Sequence, residues 1–130
     1  MLPPPRSAPT VLVADDEADL RRLARLVLEL DGFEIVGEAE DGARAVELFV
    51  ELSPARTPTV VLLDNRMPAL TGLEAAERIL SIEPGQLVVL FSAHFDAAEV
   101  NRARELGVAA CVDKPDASGL GSVLRGLLPD

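Results

Sequence analysis

The sequence predicts an α/β fold, a doubly wound parallel sheet of five strands with helices on both faces. Five short apolar runs, rich in β-branched residues, alternate with segments whose apolar residues recur at helical spacing. Runs that are apolar throughout are typical of parallel strands, because both faces of such a sheet are covered. The connections are short and favour right-handed crossovers, which place helices on both sides of the sheet.

The first strand is predicted over residues 10–14 and the first helix over residues 17–31. In that helix the apolar residues recur every three or four positions: Leu20, Leu23, Ala24, Val27, Leu28 and Leu30. Asp31-Gly32 ends the helix, because glycine readily adopts the left-handed conformation that often follows one. The second strand is predicted over residues 33–39.

The second helix opens at Asp41-Gly42 and stops at Ser53-Pro54, since a residue that precedes proline avoids the helical region. Its predicted inner face consists of Ala45, Val46, Leu48, Phe49 and Leu52. The third strand is predicted over residues 59–63, and a loop from Met67 to Gly72 follows it.

The third helix follows that loop and ends before Pro84-Gly85, with these residues facing inward: Leu73, Ala76, Ile79 and Leu80. The fourth strand is predicted over residues 86–91. The fourth helix covers residues 96–106 and ends at Gly107. The fifth strand covers residues 108–112 and the last helix residues 116–128, where the inward positions are Leu120, Val123, Leu124 and Leu127.

Length and composition indicate one domain. The chain has 130 residues, of which 48% are apolar, enough for a single core. We expect residues 10–130 to form the domain. Residues 1–9 contain four prolines and no apolar segment of the signal-peptide kind, so we expect a disordered proline-rich leader.

The charge balance and the cysteine content exclude several classes of protein. The net charge is −10, from 22 acidic and 12 basic residues, so we expect no direct contact of this domain with nucleic acid. Cys111 is the single cysteine, which excludes an internal disulfide and fits a reducing compartment. No stretch approaches the ~20 apolar residues of a membrane span, so we expect a cytoplasmic protein without membrane contact.

Polar and charged residues follow four of the predicted strands. Asp15 and Asp16 follow the first strand, Asp64 the third, Ser92 the fourth and Lys114 the fifth. Because binding groups gather at the carboxyl ends of parallel strands, we expect these side chains to share one crevice. Taken singly, each is more often a helix cap, a turn residue or a surface lysine, and it is their common position that predicts a site.

These residue types suit a divalent cation and a phosphoryl group. Clustered carboxylates repel one another unless a cation neutralises them, and hard oxygen ligands suit Mg²⁺. Asp64 is a carboxylate able to act as a nucleophile and form an aspartyl phosphate. Lys114 supplies a compact positive charge and Ser92 a hydroxyl donor for the phosphoryl oxygens.

On these motifs the chain resembles the receiver domain of two-component response regulators, over roughly residues 10–128. The matching segments are Val11-Leu-Val-Ala-Asp15-Asp16-Glu17, Leu62-Leu63-Asp64-Asn-Arg-Met67-Pro68 with Gly72 behind, Phe91-Ser92-Ala93 and Asp113-Lys114-Pro115. The resemblance implies a flavodoxin-like sheet with the strand order 2-1-3-4-5.

The resemblance also implies roles for the residues. Asp64 would accept the phosphoryl group, Ser92 would follow it and Lys114 would pair with it. The implied Mg²⁺ ligands are Asp15, Asp16, Asp64 and the backbone carbonyl of Arg66. The peptide bond between Lys114 and Pro115 would be cis. The phosphate would come from a sensor histidine kinase, a phosphotransfer protein or a small phosphodonor.

The chain departs from the family pattern near this site. Cys111 lies three residues before Lys114, where the family usually carries an aromatic residue, which puts the usual aromatic readout in doubt. Core packing is the simpler role for Cys111, and Phe95 is a candidate substitute for the aromatic residue. Arg66 and His94 lie where the family flanks the path of the hydrolytic water, so we expect a changed phosphoryl lifetime unless both side chains are merely solvated.

Three functions are open at this point. The first is a phosphorylation switch, not an enzyme with a separate substrate, that supports its own Mg²⁺-dependent phosphorylation and autodephosphorylation at Asp64. The second is a phosphatase with an aspartyl nucleophile, which Arg66 opposes because it occupies the position where a general acid is wanted. The third is a degenerate receiver that acts as a phosphorylation-independent protein-binding module.

In the switch, partners would read the face formed by the fourth helix, the fifth strand and the last helix. That face includes Asp96, Glu99, Val100, Arg102, Ala103, Arg104 and the residues after Pro115. A homodimer through the same face is possible. The chain is either a stand-alone receiver or a piece of a longer regulator.

Overall fold

The computed structural model describes residues 8–113 and 119–128, in which strands and helices alternate. The strands are β1 (Thr10–Ala14), β2 (Glu34–Ala39), β3 (Val60–Asp64), β4 (Leu87–Ser92) and β5 (Ala110–Asp113). The helices are α1 (Ala18–Leu30), α2 (Gly42–Leu52), α3 (Gly72–Ile82), α4 (Ala97–Leu106) and α5 (Leu120–Leu127). None of the helices in these two stretches has the length and apolar character needed to cross a membrane.

The five strands form one parallel sheet in the order β2-β1-β3-β4-β5, which confirms the predicted fold class and strand order. β1 is the first strand in the chain, yet it lies between β2 and β3. The chain therefore adds β2 on one side of β1 and the remaining strands on the other. In open α/β sheets the crevice beyond the carboxyl ends at such a switch point is where ligands bind.

Successive residues of the inner strands face two different cores, because side chains alternate across a sheet. One core lies under α1 and α5 and contains Val11, Val13, Val60, Leu62 and Val89. The other lies under α2, α3 and α4 and contains Leu12, Val61, Leu63, Val88 and Leu90. All ten of these side chains are fully buried, so the inner strands are apolar on both faces, as predicted.

The helix ends follow the predicted turn residues. The Asp41 carboxylate caps α2 by accepting from the N–H of Arg44 at 2.7 Å. α1 and α4 are followed by Gly32 and Gly107, whose φ angles are 89° and 95°. Ser53-Pro54 ends α2 and is a cis peptide bond.

Two strand starts differ from the prediction because an apolar residue completes the preceding helix instead. The N–H of Val108 donates to the carbonyl of Ala103 at 3.0 Å, so β5 begins at Ala110 and not at residue 108. The N–H of Phe33 donates in the same way to Leu28 at 3.0 Å, and β2 begins one residue later.

β3 and β4 each lie one residue later than predicted, so Asp64 and Ser92 are the last residues of their strands. The position before β3 is held by side chains: Thr10 and Thr59 exchange N–H to Oγ1 bonds of 3.0 and 2.9 Å. The predicted last helix began at residue 116, whereas α5 begins at Leu120. Residues 116–118 lie outside the described residues, as does the Lys114-Pro115 bond.

α1 and α5 bury fewer apolar side chains than their sequences suggest. In α1, Ala24 and Leu28 are buried, whereas Leu23, Leu26 and Leu30 are exposed. In α5 the inward position predicted for Val123 is wrong, since that side chain is exposed.

Candidate functional site

Three carboxylates meet at the carboxyl ends of β1 and β3. Ala14 pairs with Leu63 in the sheet, so Asp15 and Asp64, which follow them, lie side by side. One oxygen from each of Asp15, Asp16 and Asp64 lies within 4.8 Å of the other two. Asp15 and Asp64 are buried and Asp16 is exposed. The structure thus brings together the three carboxylates that the sequence placed at strand ends.

Backbone N–H groups hold two of these carboxylates. Glu17 donates to Oδ1 of Asp15 at 2.9 Å, and Arg66 donates to Oδ1 of Asp64 at 3.1 Å. The N–H of Asp15 itself donates to the carbonyl of Ala39 at 3.0 Å, which extends the sheet ladder past the end of β1. The backbone therefore fixes these carboxylates before any ligand binds.

Arg21 steadies the backbone next to the cluster, a role that the sequence did not reveal. Its Nη1 donates to the carbonyl oxygen of Asp15 at 2.7 Å, and its Nε lies 3.4 Å from a carboxylate oxygen of Glu38. The guanidinium thereby ties α1 and β2 to the end of β1. The only signal in the sequence is a basic residue one turn into a helix that starts beside acidic residues.

The oxygen donors of this cluster fit a hard divalent cation. Three carboxylates so close together repel one another, and a bound cation relieves that repulsion. Mg²⁺ binds through a small number of carboxylates and retains several waters, which suits a cluster with two buried members and one exposed member. The residues present are therefore those that a magnesium site requires.

Ser92 lies next to the cluster at the end of β4. Asp64 pairs with Phe91, so Ser92 is one residue beyond it along the neighbouring strand. Its side chain is fully buried, and its Oγ donates to the carbonyl of His94 at 3.1 Å. Ser92 also pairs with Asp113 of β5, and Lys114, the next residue, lies outside the described residues.

Asn65 links the end of β3 to two helices. Its Nδ2 donates to Oε2 of Glu99 in α4 at 2.6 Å, and its Oδ1 accepts from the N–H of Leu73 in α3 at 3.3 Å. Glu99 is already the partner of Asp96 in a capping box at the start of α4. A side chain adjacent to Asp64 is thus bonded to the first turn of α4, a contact between residues 34 apart that the sequence did not indicate.

Gly72 lies against the backbone of the site. A Cβ at this position would come 2.5 Å from the carbonyl oxygen of Asp64 and 2.7 Å from the Cα of Asn65. Glycine is therefore required by the close approach of α3 to the end of β3. The glycine was part of the recognised pattern, but its contact with Asp64 emerges only from the structure.

The side chains of Arg66 and His94 are exposed at the rim of the site. Each contributes a backbone group inward: Arg66 its N–H to Asp64, and His94 its carbonyl to Ser92. Within the two described stretches neither side chain forms an ion pair. Their effect on the lifetime of a phosphoryl group stays a prediction.

Cys111 lines a groove between α4 and β5 of about 520 Å³, together with Phe95, Val100 and Ala103. Burial raises the pKa of the Cys111 thiol, and the nearby Glu99 carboxylate raises it further. The thiol is therefore protonated and a poor nucleophile at neutral pH, which fits a packing role. Phe95 lines the same groove, so an aromatic side chain is present beside the position where the family usually has one.

Comparison with known proteins identifies relatives over most of the chain. A family model described as the response regulator receiver domain matches residues 11–124. The transcriptional regulatory protein PdtaR of Mycobacterium tuberculosis is 41% identical over 105 residues, which cover 81% of this chain and 49% of PdtaR. The chemotaxis protein CheY of Thermotoga maritima is 33% identical over 105 residues, which cover 81% of this chain and 84% of CheY. The chain thus spans about half the length of PdtaR and most of the length of CheY.

Solved structures give the same result for the fold. The signal receiver domain of the response regulator NarL from Mycobacterium tuberculosis superposes with a TM-score of 0.83 at 34% identity, covering 94% of this chain and 96% of that chain. The response regulator domain of Thermotoga maritima CheB superposes with a TM-score of 0.75 at 31% identity, covering 92% and 90% of the two chains.

Proposed function

The chain belongs to the response regulator receiver domain family, and from that premise we propose that it is a phosphorylation switch whose phosphoacceptor is Asp64. Receiver domains are signalling domains that bind Mg²⁺ at an acidic pocket. The observation that carries the proposal is the convergence of Asp15, Asp16 and Asp64 within 4.8 Å at the switch point of the sheet.

In the proposed reaction, a carboxylate oxygen of Asp64 attacks the phosphorus atom of the donor. With a phosphohistidine donor the P–N bond breaks, its electron pair remains on the imidazole, and the phosphoryl group becomes an acyl phosphate on Asp64. A sensor histidine kinase, a phosphotransfer protein or a small phosphodonor would supply the group. Positioning and charge stabilisation provide most of the catalysis in phosphoryl transfer, so a preformed, backbone-held carboxylate suits the task.

Asp15, Asp16 and Asp64, with the backbone carbonyl of Arg66, would hold the Mg²⁺ ion. When bound, the ion supplies positive charge against the carboxylates and the phosphoryl oxygens. The N–H of Glu17 keeps Asp15 oriented, and Arg21 keeps its backbone in place. Lys114 directly follows Asp113, the last residue of β5, and we propose that its ammonium pairs with the phosphoryl group.

Ser92 would report the arrival of the phosphoryl group. Its hydroxyl donates to the carbonyl of His94 in the loop that follows, and it could exchange this acceptor for a phosphoryl oxygen. Donation to a phosphoryl oxygen on Asp64 would release the carbonyl of His94 and let the β4–α4 loop move. The Asn65–Glu99 bond gives a second connection from the site to the start of α4.

Partners would read this change on the surface of α4, β5 and α5. Two residues that the sequence assigned to that surface are not free to bind a partner: Ala103 is buried, and Glu99 is bonded to Asn65 and Asp96. Of the residues assigned to this surface, Asp96, Arg102 and Arg104 are exposed. We propose a cytoplasmic role in which this acidic domain regulates other proteins and makes no direct contact with nucleic acid.

Incubation with acetyl phosphate and Mg²⁺, followed by intact-mass measurement, tests this function. We expect the mass to rise by one phosphoryl group, and the gain to vanish in Asp64→Asn and when EDTA replaces Mg²⁺. Asp113→Asn is the matched control, because it removes an exposed aspartate at the carboxyl end of β5 and should leave the gain unchanged.

The alternative is a degenerate receiver that binds partners without phosphorylation, and the replacement of the usual aromatic residue by Cys111 favours it. No mass gain, together with no binding of beryllofluoride, would support that alternative and exclude the switch. A gain that persists in Asp64→Asn would show that another residue is modified.

A further inference from the structure

Exposed large apolar side chains are concentrated on one helix. Of the six such side chains among the described residues, three lie on α1, namely Leu23, Leu26 and Leu30, and a fourth, Val123, lies on the adjacent α5. The other two lie on α2 and α3. Apolar side chains grouped in this way on a surface indicate an interaction site.

The three leucines form a seam along the outer side of α1. They are spaced by three and four residues, the spacing of the contact positions in a coiled coil. The inner side of the helix, with Ala24 and Leu28, packs on the sheet. α1 therefore presents apolar side chains both to its own core and outward.

A basic residue lies beside the first half of the leucine seam and an acidic residue lies beside its second half. Arg22 and Glu29 lie four residues before and three residues after Leu26, and both are exposed. Arg22 forms no ion pair within the described part of the chain. Among the residues that the structure describes, Glu29 pairs only with Arg25 of its own helix, at 3.3 Å, and its side chain remains accessible.

We propose that α1 is the interface of a homodimer in which the α1 helices of two copies pack antiparallel about a two-fold axis near Leu26. Such an axis brings Leu23 of one copy close to Leu30 of the second. It also brings Arg22 of each copy beside Glu29 of the other, so each ion pair occurs twice. A two-fold interface must be complementary to itself, and this arrangement of charges meets that condition.

This face differs from the one formed by α4, β5 and α5, for which a dimer was considered from sequence. Within residues 8–113 and 119–128, no exposed large apolar side chain lies on α4 or β5. The proposed α1 dimer does not depend on phosphorylation of Asp64, so either the dimer or the phosphorylation switch can be disproved without the other.

Sedimentation equilibrium of the full chain at about 0.15 M salt, where surface charge is screened beyond about 8 Å, tests the proposal. We expect a monomer–dimer equilibrium whose dissociation constant rises about tenfold or more in Leu26→Lys, since that residue lies at the centre of the interface. Val50→Lys on α2 is the matched control: Val50 is 53% exposed and Leu26 is 55% exposed. It should leave the equilibrium unchanged.

A charge exchange separates this interface from non-specific association. Arg22→Glu alone and Glu29→Arg alone should each weaken the dimer, and the double variant should restore it. A monomer at every concentration, a dimer that survives Leu26→Lys, or a double variant no better than the single ones would overturn the proposal. Loss of the dimer in Val100→Lys but not in Leu26→Lys would assign it to α4 instead.

Discussion

Gly72 is the residue at which α3 comes close to the backbone of the candidate site. Any Cβ there meets the backbone of Asp64 and Asn65, which cannot rotate away. We expect Gly72→Ala to lower the free energy of unfolding by about 2–3 kcal/mol, measured by urea denaturation, because the end of β3 or the start of α3 must shift. Phosphorylation at Asp64 should fall as well.

Gly126 provides the control for that substitution. It lies in α5, and a Cβ there would have no neighbour within 4 Å. Gly126→Ala should therefore stabilise the protein by up to about 1 kcal/mol, since alanine favours the helix. Equal effects of the two substitutions would contradict the close approach at Gly72.

Cys111 offers a test of the environment beside α4. Burial, aided by the Glu99 carboxylate, raises the pKa of its thiol above the usual value, so the thiolate forms at higher pH than in a free cysteine. We expect alkylation by iodoacetamide, followed by mass, to be slower than for a free thiol at pH 8. The midpoint of its pH dependence should also be shifted upward.

The same shift makes a prediction for stability. The Cys111 thiol loses its proton at lower pH in the unfolded chain than in the folded protein. The free energy of unfolding should therefore fall as the pH rises from the pKa of the thiol in the unfolded chain to its pKa in the folded protein. Cys111→Ser removes that contribution and serves as the control. A normal alkylation profile would show that the thiol is solvated.

Arg66 and His94 test whether the rim of the site governs the lifetime of the phosphoryl group. Both exposed side chains flank the buried pair Asp64 and Ser92. We expect the double variant Arg66→Ala and His94→Ala to lose phosphate several-fold faster, because removing two large side chains from the rim opens the path of the hydrolytic water to Asp64. Arg22→Ala, remote from the site, is the control, and an unchanged rate in the double variant would contradict the hypothesis.

The carboxylates of the site could be predicted from sequence because each directly follows an apolar strand. Strand ends in a parallel sheet share one edge, so local pattern and sheet geometry sufficed for Asp15, Asp16 and Asp64. Asn65 and Arg21 could not be found in that way. Their roles rest on contacts with Glu99 and with the carbonyl of Asp15, which depend on tertiary packing.

At the scale of the elements, α3 and α4 both begin with a capping box, but the two capping boxes differ in one contact. Each has a capping box, with Glu74 in α3 and Glu99 in α4, but only Glu99 is also bonded to Asn65. We expect Glu99→Ala to lower the free energy of unfolding by about 1.5–3 kcal/mol more than Glu74→Ala, which is the usual contribution of a hydrogen bond to a charged group.

A double-mutant cycle isolates that contact. Asn65→Ala and Glu99→Ala should be non-additive in urea denaturation, and hydrogen exchange in the first turn of α4 should rise in both single variants. Additive effects would show that the bond does not couple the site to α4.

The helices illustrate what local sequence determines and what it does not. Asp41, Gly32 and Gly107 bound their helices because capping chemistry is local. The apolar periodicity of α1 located the helix but could not say which of its leucines the sheet would cover. Which leucines are covered depends on how α1 and α5 share one face of the sheet, and that arrangement is a property of the packed domain.

At the scale of the whole molecule, the excess of negative charge opposes folding through self-repulsion. The net charge is −10, and three carboxylates are held together at one edge of the sheet. We expect Mg²⁺ at ten times its dissociation constant to stabilise the protein by about 1.4 kcal/mol. That corresponds to about 3–6 °C in Tm for a domain of this size, measured by differential scanning calorimetry.

NaCl at matched ionic strength separates ion binding from general screening of the negative charge. Asp16→Asn should abolish the difference between Mg²⁺ and Na⁺, whereas Asp19→Asn, another exposed aspartate, should retain it. Equal stabilisation by the two salts would argue against a specific site.

The fold as a whole was predictable because five short apolar strands with short connections leave few topologies. The order of the strands was not worked out from the pattern. The strand order was instead implied by the resemblance to a family. Both faces of β1 are fully buried and apolar, so its own residues do not indicate which strands pair with it.

In the inner strands, whether a residue number is even or odd decides which of the two cores its side chain enters. Even-numbered residues of β1 face one set of helices and odd-numbered residues the other. Inserting or deleting one residue inside such a strand would move every following side chain to the opposite face and turn the polar residue at the strand's carboxyl end away from the site. Length changes within these strands are therefore tolerated only in pairs, and the loops are where this chain is free to vary.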